Sequence, residues 1–265
     1  MSGVAATPTM GLGLLSWGGL ASLRASLGTY RRESLFSLFD EVLLFFPEIS
    51  RAAVELAQDY DLPHAGSPEN LGILGGFKAL ASAMRSDVLL LLENDCPLIE
   101  PHEEASRQLA IARRAVAARE VVAFRMRHAR QPGQKFPAIQ KFARYHGPGL
   151  GPLARRTLRP GKARRLAGTS VYLDDAPETR FPDLIQRQPE GWLSVSAACL
   201  PWTNQSVVVR RDVYLDTIIG EAEARPSRRT VNGFPDIEKE WNTDRWRRSG
   251  WSIGVDRGLF THERV

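Results

Sequence analysis

Residues 86 to 100 read S-D-V-L-L-L-L-E-N-D-C-P-L-I-E, an apolar run that stops at two carboxylates one residue apart, Glu93 and Asp95. An apolar stretch without polar alternation suits a strand buried on both faces of a mostly parallel sheet. In such sheets ligands collect beyond the carboxyl ends of the strands. Two acidic groups at that edge either open a surface loop or hold a hard divalent cation, which takes oxygen ligands and commonly bridges carboxylate to phosphate.

The residues before this run alternate in period. Met10 to Trp17 reads as a strand, and Leu20 to Phe39 has helical spacing through Leu23, Leu27, Tyr30, Leu35 and Leu38. Glu41 to Phe46 is a second apolar strand, Ser50 caps a helix reaching Tyr60, and Asn70 to Met84 forms another helix before Val88 to Leu92. Strand and helix in strict alternation predict an α/β fold, a mostly parallel central sheet flanked by helices. After Leu62 to Ala65, the second half is less regular: a helix at Ala105 to Ala118, a strand at Val121 to Arg127, order again at Gly191 to Cys199 and Ser206 to Arg210, and short helices at Asp212 to Ile219 and Asp236 to Thr243.

Charge is distributed unevenly. The net charge of +5 hides a stretch from Val121 to Leu173 with no Asp or Glu, in which Arg125, Arg127, Arg130, Lys135, Lys141, Arg144, Arg155, Arg156, Arg159, Lys162, Arg164 and Arg165 accumulate. Such a block is either a solvated arginine-rich loop or a surface for an anionic partner: a phosphate-bearing acceptor, an acidic membrane or nucleic acid. Its prolines and glycines predict turns and short pieces. Two cysteines without metal-type spacing fit free thiols in a reducing compartment. No run approaches a membrane span and the first residues lack a basic leader, so the expected location is cytoplasmic, with peripheral contact at an anionic membrane surface left open.

The order of these pieces resembles the GT-A fold glycosyltransferases, most closely the family 2 type, over nearly the whole chain. In that family an acidic D-x-D motif ends a central strand; here it reads Glu93-Asn94-Asp95. The resemblance implies a nucleotide-sugar-binding half over 1–120 and an acceptor-binding, catalytic half of the same domain over 121–265. It implies a nucleotide-sugar donor, most simply a UDP-sugar, and a divalent Mn2+ or Mg2+ ion held by Asp95, with Glu93 touching the metal through water or the ribose. It places Ser16 and Trp17 at the nucleoside site, Glu48 near the base, and Asn70, Gly72, Gly75 and Gly76 at a helix entry close to the diphosphate. It makes His262 a third metal ligand or a diphosphate contact, gives Arg257 and Arg264 the chance to neutralise the leaving group, and implies an inverting transfer. The catalytic base is then an acidic residue in G-F-P-D-I-E-K-E-W-N, Asp236 ahead of Glu238, since an attacking hydroxyl must lose its proton; acidic residues also favour helix N-termini on electrostatic grounds alone. The basic stretch would supply a lid that excludes water. The acceptor expected is a carbohydrate or a phosphate-bearing glycan or lipid-linked molecule, in glycan or polysaccharide synthesis. A sugar nucleotidyltransferase fits less well, because the first strand is not followed by a Gly-rich loop bearing Arg and Lys. A basic protein gripping nucleic acid or anionic lipid stays as the alternative from another class, with Phe136, Phe142 and Tyr145 interleaved among the charges.

Overall fold

A computed structural model of the chain describes residues 7–134, 136–226, 230 and 232–264. The first half follows the alternation: β1 (Met10–Leu15), α1 (Leu20–Arg32), β2 (Glu41–Phe46), α2 (Arg51–Asp59), β3 (His64–Gly66), α3 (Gly72–Ala83), β4 (Val88–Glu93) and α4 (His102–Ala117). The helix expected to reach Phe39 breaks earlier. Ser34 adopts a left-handed φ of 51°, and Leu35–Leu38 continues as a separate 3-10 turn. Ser50 caps α2 as expected, its hydroxyl accepting from the Ala53 amide at 3.2 Å.

β5 (Ala123–Arg127), β6 (Ile185–Arg187), β7 (Leu193–Ser196), β8 (Val207–Arg210) and β9 (Ser252–Phe260) complete a nine-stranded sheet among the described residues, ordered β3-β2-β1-β4-β8-β5-β9-β7-β6. The parallel block β3-β2-β1-β4 carries the regular half of the sequence. Beyond it the sheet is mixed, because β8 enters antiparallel between β4 and β5, while β9 runs parallel to β5 and antiparallel to β7. β4 therefore has neighbours on both edges and helices on both faces. Leu89 and Leu91 pack with α3 and β8 on one face, and Val88, Leu90 and Leu92 pack with α1 and α4 on the other.

Small residues let these layers close. Gly11 and Gly13 of β1 lie under α3, where a Cβ would come 2.6 and 3.0 Å from the Met84 side chain. The basic stretch departs most from expectation. It folds into three consecutive helices, α5 (Pro137–His146), α6 (Leu150–Leu158) and α7 (Pro160–Leu166). The prolines read as breakers are helix starters, since Pro137 and Pro160 occupy first-turn positions where a missing N–H leaves no orphan. The winding of 213–219 also differs: Val213–Ile219 is a π-helix.

One position tests the packing of the C-terminal half. Gly254 of β9 faces Phe124 of β5, and an added Cβ would lie 2.1 Å from the Phe124 ring. Gly254→Ala is expected to cost ~2 kcal/mol through overpacking, lowering Tm by ~4–8 °C, as read by calorimetry; an unchanged Tm would show that the ring has room to move.

Candidate active site

Residues far apart in the chain meet beyond the end of β4. Leu15 of β1 pairs with Glu93, and the chain after β9 turns back along residues 95–99: Thr261 donates to the Pro97 carbonyl at 3.1 Å and Glu263 to the Asp95 carbonyl at 3.0 Å. This extended pairing puts residues 262 and 264 on one side of the segment. His262 Nε2 lies 3.1 Å and Arg264 Nε 2.9 Å from the same oxygen, Asp95 Oδ2. Glu93, Asp95 and His262 each offer a donor atom within 4.8 Å of the others, the one such group noted among the described residues.

The two carboxylates differ in charge balance. Burial would raise the pKa of Asp95, but hydrogen bonds from His262 and Arg264 outweigh it and hold the group below the usual carboxylate range. Glu93 has no cation hydrogen-bonded to it among the described residues. Burial first, then repulsion from Glu238, Asp95 and Asp236, pushes it up to about 8. Two carboxylates and an imidazole form a hard-to-borderline donor set suited to Mn2+ or Mg2+, and a cation there would relieve the repulsion that Glu93 now meets by keeping a proton. The residues present therefore fit the metal the sequence implied.

His262 is held from behind. Gln134 donates its amide to the His262 carbonyl at 2.9 Å, and Gly133, at φ 75°, approaches so closely that a Cβ would sit 2.2 Å from that oxygen. Arg127 donates to Gln205 Oε1 at 3.0 Å, which turns the Gln205 amide nitrogen to within 3.2 Å of His262 Nε2. Nε2 thus lies between an acceptor, Asp95 Oδ2, and a donor, the Gln205 amide, and a metal bound there would take its lone pair in place of the Asp95 contact.

On one side of this group lies a cleft of about 370 Å³ lined by Leu15, Trp17, Gly19, Ser22, Ile73, Glu93, Asn94, Asp95, Asn232 and Arg264. It shares Leu15, Trp17, Ile73 and Asn232 with a small annex of about 50 Å³ that also includes Pro47, Asn70, Gly72 and Phe234. Asn94 shapes the floor, its amide donating to the Gly18 and Gly19 carbonyls at 3.2 and 3.3 Å while both glycines hold left-handed φ. That turn delivers the N-terminus of α1 to the cleft, a place that favours anions. On the other side is a cavity of about 340 Å³ whose wall includes Arg125, Arg127, Tyr172, Thr203, Glu238 and His262.

The expected residues divide. Trp17, Asn70, Gly72, Glu93, Asn94, Asp95, Glu238, His262 and Arg264 line these spaces. Glu48 acts one step back, accepting from the Trp17 indole at 3.1 Å. Ser16 is buried and donates to the Gly18 carbonyl at 3.2 Å, bracing the turn. Gly76 serves helix packing, since a Cβ would meet Pro47 at 2.8 Å and Leu15 at 3.0 Å. Arg257 lies elsewhere, paired with Glu100 at 2.9 Å. Asp236 caps the helical turn Ile237–Trp241, its carboxylate accepting from the Glu238 amide at 3.2 Å. Glu238 uses Oε1 to accept from the Thr203 hydroxyl at 2.8 Å and the Asn204 amide at 2.9 Å, with no bond to Oε2 among the described residues. The turn is anchored by tryptophans: Trp241 donates to the Ile218 carbonyl and Trp246 to the Leu200 carbonyl, with Trp246 packed edge-on against both Trp202 and Trp241. Sequence reasoning left Asn232, Ser22, Thr203 and Gln205 unassigned, because isolated polar residues in loops carry no periodicity.

No family model matches the chain, and no curated protein does at the sequence level. Solved structures do. The chain is similar to TarS 1-349 of S. aureus, with a TM-score of 0.54 at 9% identity over 96% of this chain and 60% of that one. A mycobacterial protein gives 0.53 at 14% identity, covering 97% of this chain and 68% of that one. Glucosyl-3-phosphoglycerate synthase from Mycobacterium tuberculosis, solved with Mn2+, UDP and glucosyl-3-phosphoglycerate, gives 0.51 at 11% identity over 97% and 73%. The chain thus spans about three fifths of the length of TarS 1-349. The fold is the GT-A fold of glycosyltransferases.

The position of Glu93 sets a pH dependence. Its folded-state value of about 8 lies above the ordinary 4.5, so the stability it contributes is present in full below pH ~4.5 and is lost as pH rises through about 8. Metal-free protein should melt at progressively lower temperature across that window, by at most ~1.4 kcal/mol per pH unit from this group, and Glu93→Gln should flatten the slope. A slope that persists in the variant would place its origin in another group.

Proposed function

We propose that the chain is a metal-dependent glycosyltransferase that moves a sugar from a nucleotide donor, most simply a UDP-sugar, to a hydroxyl acceptor with inversion. The observation that carries this reading is the meeting of Glu93, Asp95 and His262 between two separate cavities, one opening on a helix N-terminus and the other lined by a carboxylate and two arginines. The similarity to a synthase solved with Mn2+ and UDP supports it at the level of fold.

In this reading the cleft beside β1 seats the nucleotide. Trp17, fixed by Glu48, offers an aromatic wall to the base, and Leu15 and Ile73 enclose the nucleoside. Asp95 and His262, with Glu93, would hold the cation, which when bound supplies charge stabilisation at the departing diphosphate. Arg264, now on Asp95, is mostly exposed and within reach of the same cleft, where its guanidinium would pair with phosphate oxygens. Glu238 accepts the acceptor hydroxyl's proton at Oε2, since Oε1 is already committed to Thr203 and Asn204. Asp236 positions that turn as its cap, which reverses the order of preference between the two drawn from sequence.

The acceptor side favours an anionic molecule. Arg125 and Arg127 project from one face of β5, and among the described residues their guanidinium groups hydrogen-bond only to neutral oxygens: Tyr172, Pro201, Pro132, Gln134 and Gln205. Burial lowers the pKa of Arg127, as expected for a cation with no paired carboxylate. A phosphate- or carboxylate-bearing hydroxyl compound would supply the missing charge. Arg127 also ties together Pro132, Gln134 and Gln205, so it braces His262 as well as facing the acceptor.

The test is nucleotide release from a panel of nucleotide sugars with Mn2+. Asp95→Ala and His262→Ala should each lower turnover by ~100-fold or more, and Glu238→Gln by ~100- to 10,000-fold. Asp236→Asn, which keeps a capping oxygen, should retain most of the activity. Full activity in Asp95→Ala and His262→Ala would remove the metal assignment, and pyrophosphate in place of UDP as product would replace transfer with nucleotidyl chemistry.

A further inference from the structure

Helix α6 is amphipathic in the wrong direction for a soluble core. Leu150, Leu153, Ala154, Thr157 and Leu158 fall at the spacing that forms one stripe along a helix. In the usual arrangement that stripe packs inward. Here none of the nine residues is buried, and Leu150, Leu153 and Leu158 are 84%, 50% and 80% exposed. It is Arg156 that turns toward the protein, donating to the Tyr145 carbonyl at 2.8 Å. Three large aliphatic side chains on one solvent-facing stripe are what an interaction surface presents.

The surroundings of the stripe decide its partner. Lys141, Arg144, Arg155, Arg159, Lys162, Arg164 and Arg165 rim it on α5, α6 and α7 and are exposed. None of them forms an ion pair with a carboxylate among the described residues, and the chain holds no Asp or Glu from 121 to 173. Their contacts are to carbonyls, such as Arg155 to Arg144 and Arg165 to Gly161, or to a ring, Lys162 over Tyr145. A second copy of the chain would bring the same positive field against itself. Single-stranded nucleic acid would want exposed aromatic platforms, but Phe142 and Tyr145 are buried beneath the helices. Aliphatic side chains framed by unpaired cations match an anionic bilayer, whose acyl boundary takes the leucines while its headgroups take the charges.

We propose that the outer face of α6, with its rim on α5 and α7, docks on an anionic lipid surface. The leucines insert shallowly and the arginines fix orientation, so that the helix lies in the plane of the interface. This surface is separate from the donor cleft and from the acceptor cavity, and the proposal does not depend on the activity assigned above.

Sedimentation of the full chain with vesicles of phosphatidylcholine alone, and of phosphatidylcholine mixed with phosphatidylglycerol, tests it. The protein should pellet with the mixed vesicles, stay in solution with the neutral ones, and be released by raised salt. Leu150→Ser, Leu153→Ser and Leu158→Ser combined should weaken partitioning by ~tenfold or more while leaving the melting temperature of these exposed positions unchanged. Arg159→Gln with Arg164→Gln should weaken it in anionic vesicles alone. Absence of pelleting at low salt overturns the proposal. So does pelleting that the serine variant matches, which would reduce the effect to diffuse charge, or self-association of the unliganded protein that the serine substitutions abolish, which would assign the face to a second copy.

Discussion

The neutralisation of Asp95 is the interaction around which the structure is arranged. A strand buried on both faces carries its chain into a low-dielectric layer, and a carboxylate delivered there is costly without a partner. The partners come from the other end of the sequence, since Arg264 meets Asp95 across a separation of 169 residues. That contact requires β9 to lie beside β5 and its continuation to turn back along residues 95–99. Glu93, two residues away, receives no such cation and holds its proton to about 8 instead. One acidic motif thus contains a carboxylate held low by paired cations and a second pushed up by burial and like charge.

Around that pair the molecule separates two tasks. Left-handed Gly18 and Gly19, locked by Asn94, end β1 and start α1 at the cleft beside β1. Tryptophans hold the turn bearing Glu238 over the opposite cavity through indole hydrogen bonds to main-chain carbonyls. Backbone geometry defines one side and rigid aromatic packing the other. Glu93, Asp95 and His262 sit where the two spaces meet, the carboxylates lining the first and the imidazole the second.

The parallel half was legible because its strands are buried on both faces, and the apolar runs at β1, β2 and β4 have no competing reading. The meeting of Asp95 with His262 was legible through order along the chain. What escaped notice depended on neighbours distant in sequence. β6 spans only three residues and β9 carries a charged pair, Asp256–Arg257, in mid-strand, so neither shows a clean period. In α5 and α7, prolines that look like breaks supply first turns. That Asp236 caps the helix while Glu238 faces the cavity is not disclosed by a run of alternating carboxylates. Gln205 was silent because its importance comes from Arg127 and His262, each from a different part of the chain.

The insertion of β8 between β4 and β5 has a consequence for how the molecule is made. Val207–Arg210 forms the outer border of the acidic strand, so until that segment is synthesised the most apolar strand of the protein has a bare edge. Any nascent chain that has emerged only through α4 would carry an adhesive ribbon rather than half a folded sheet. Its safe passage depends on a short antiparallel piece encoded more than a hundred residues downstream, and a chaperone covering that edge during translation would be standing in for β8.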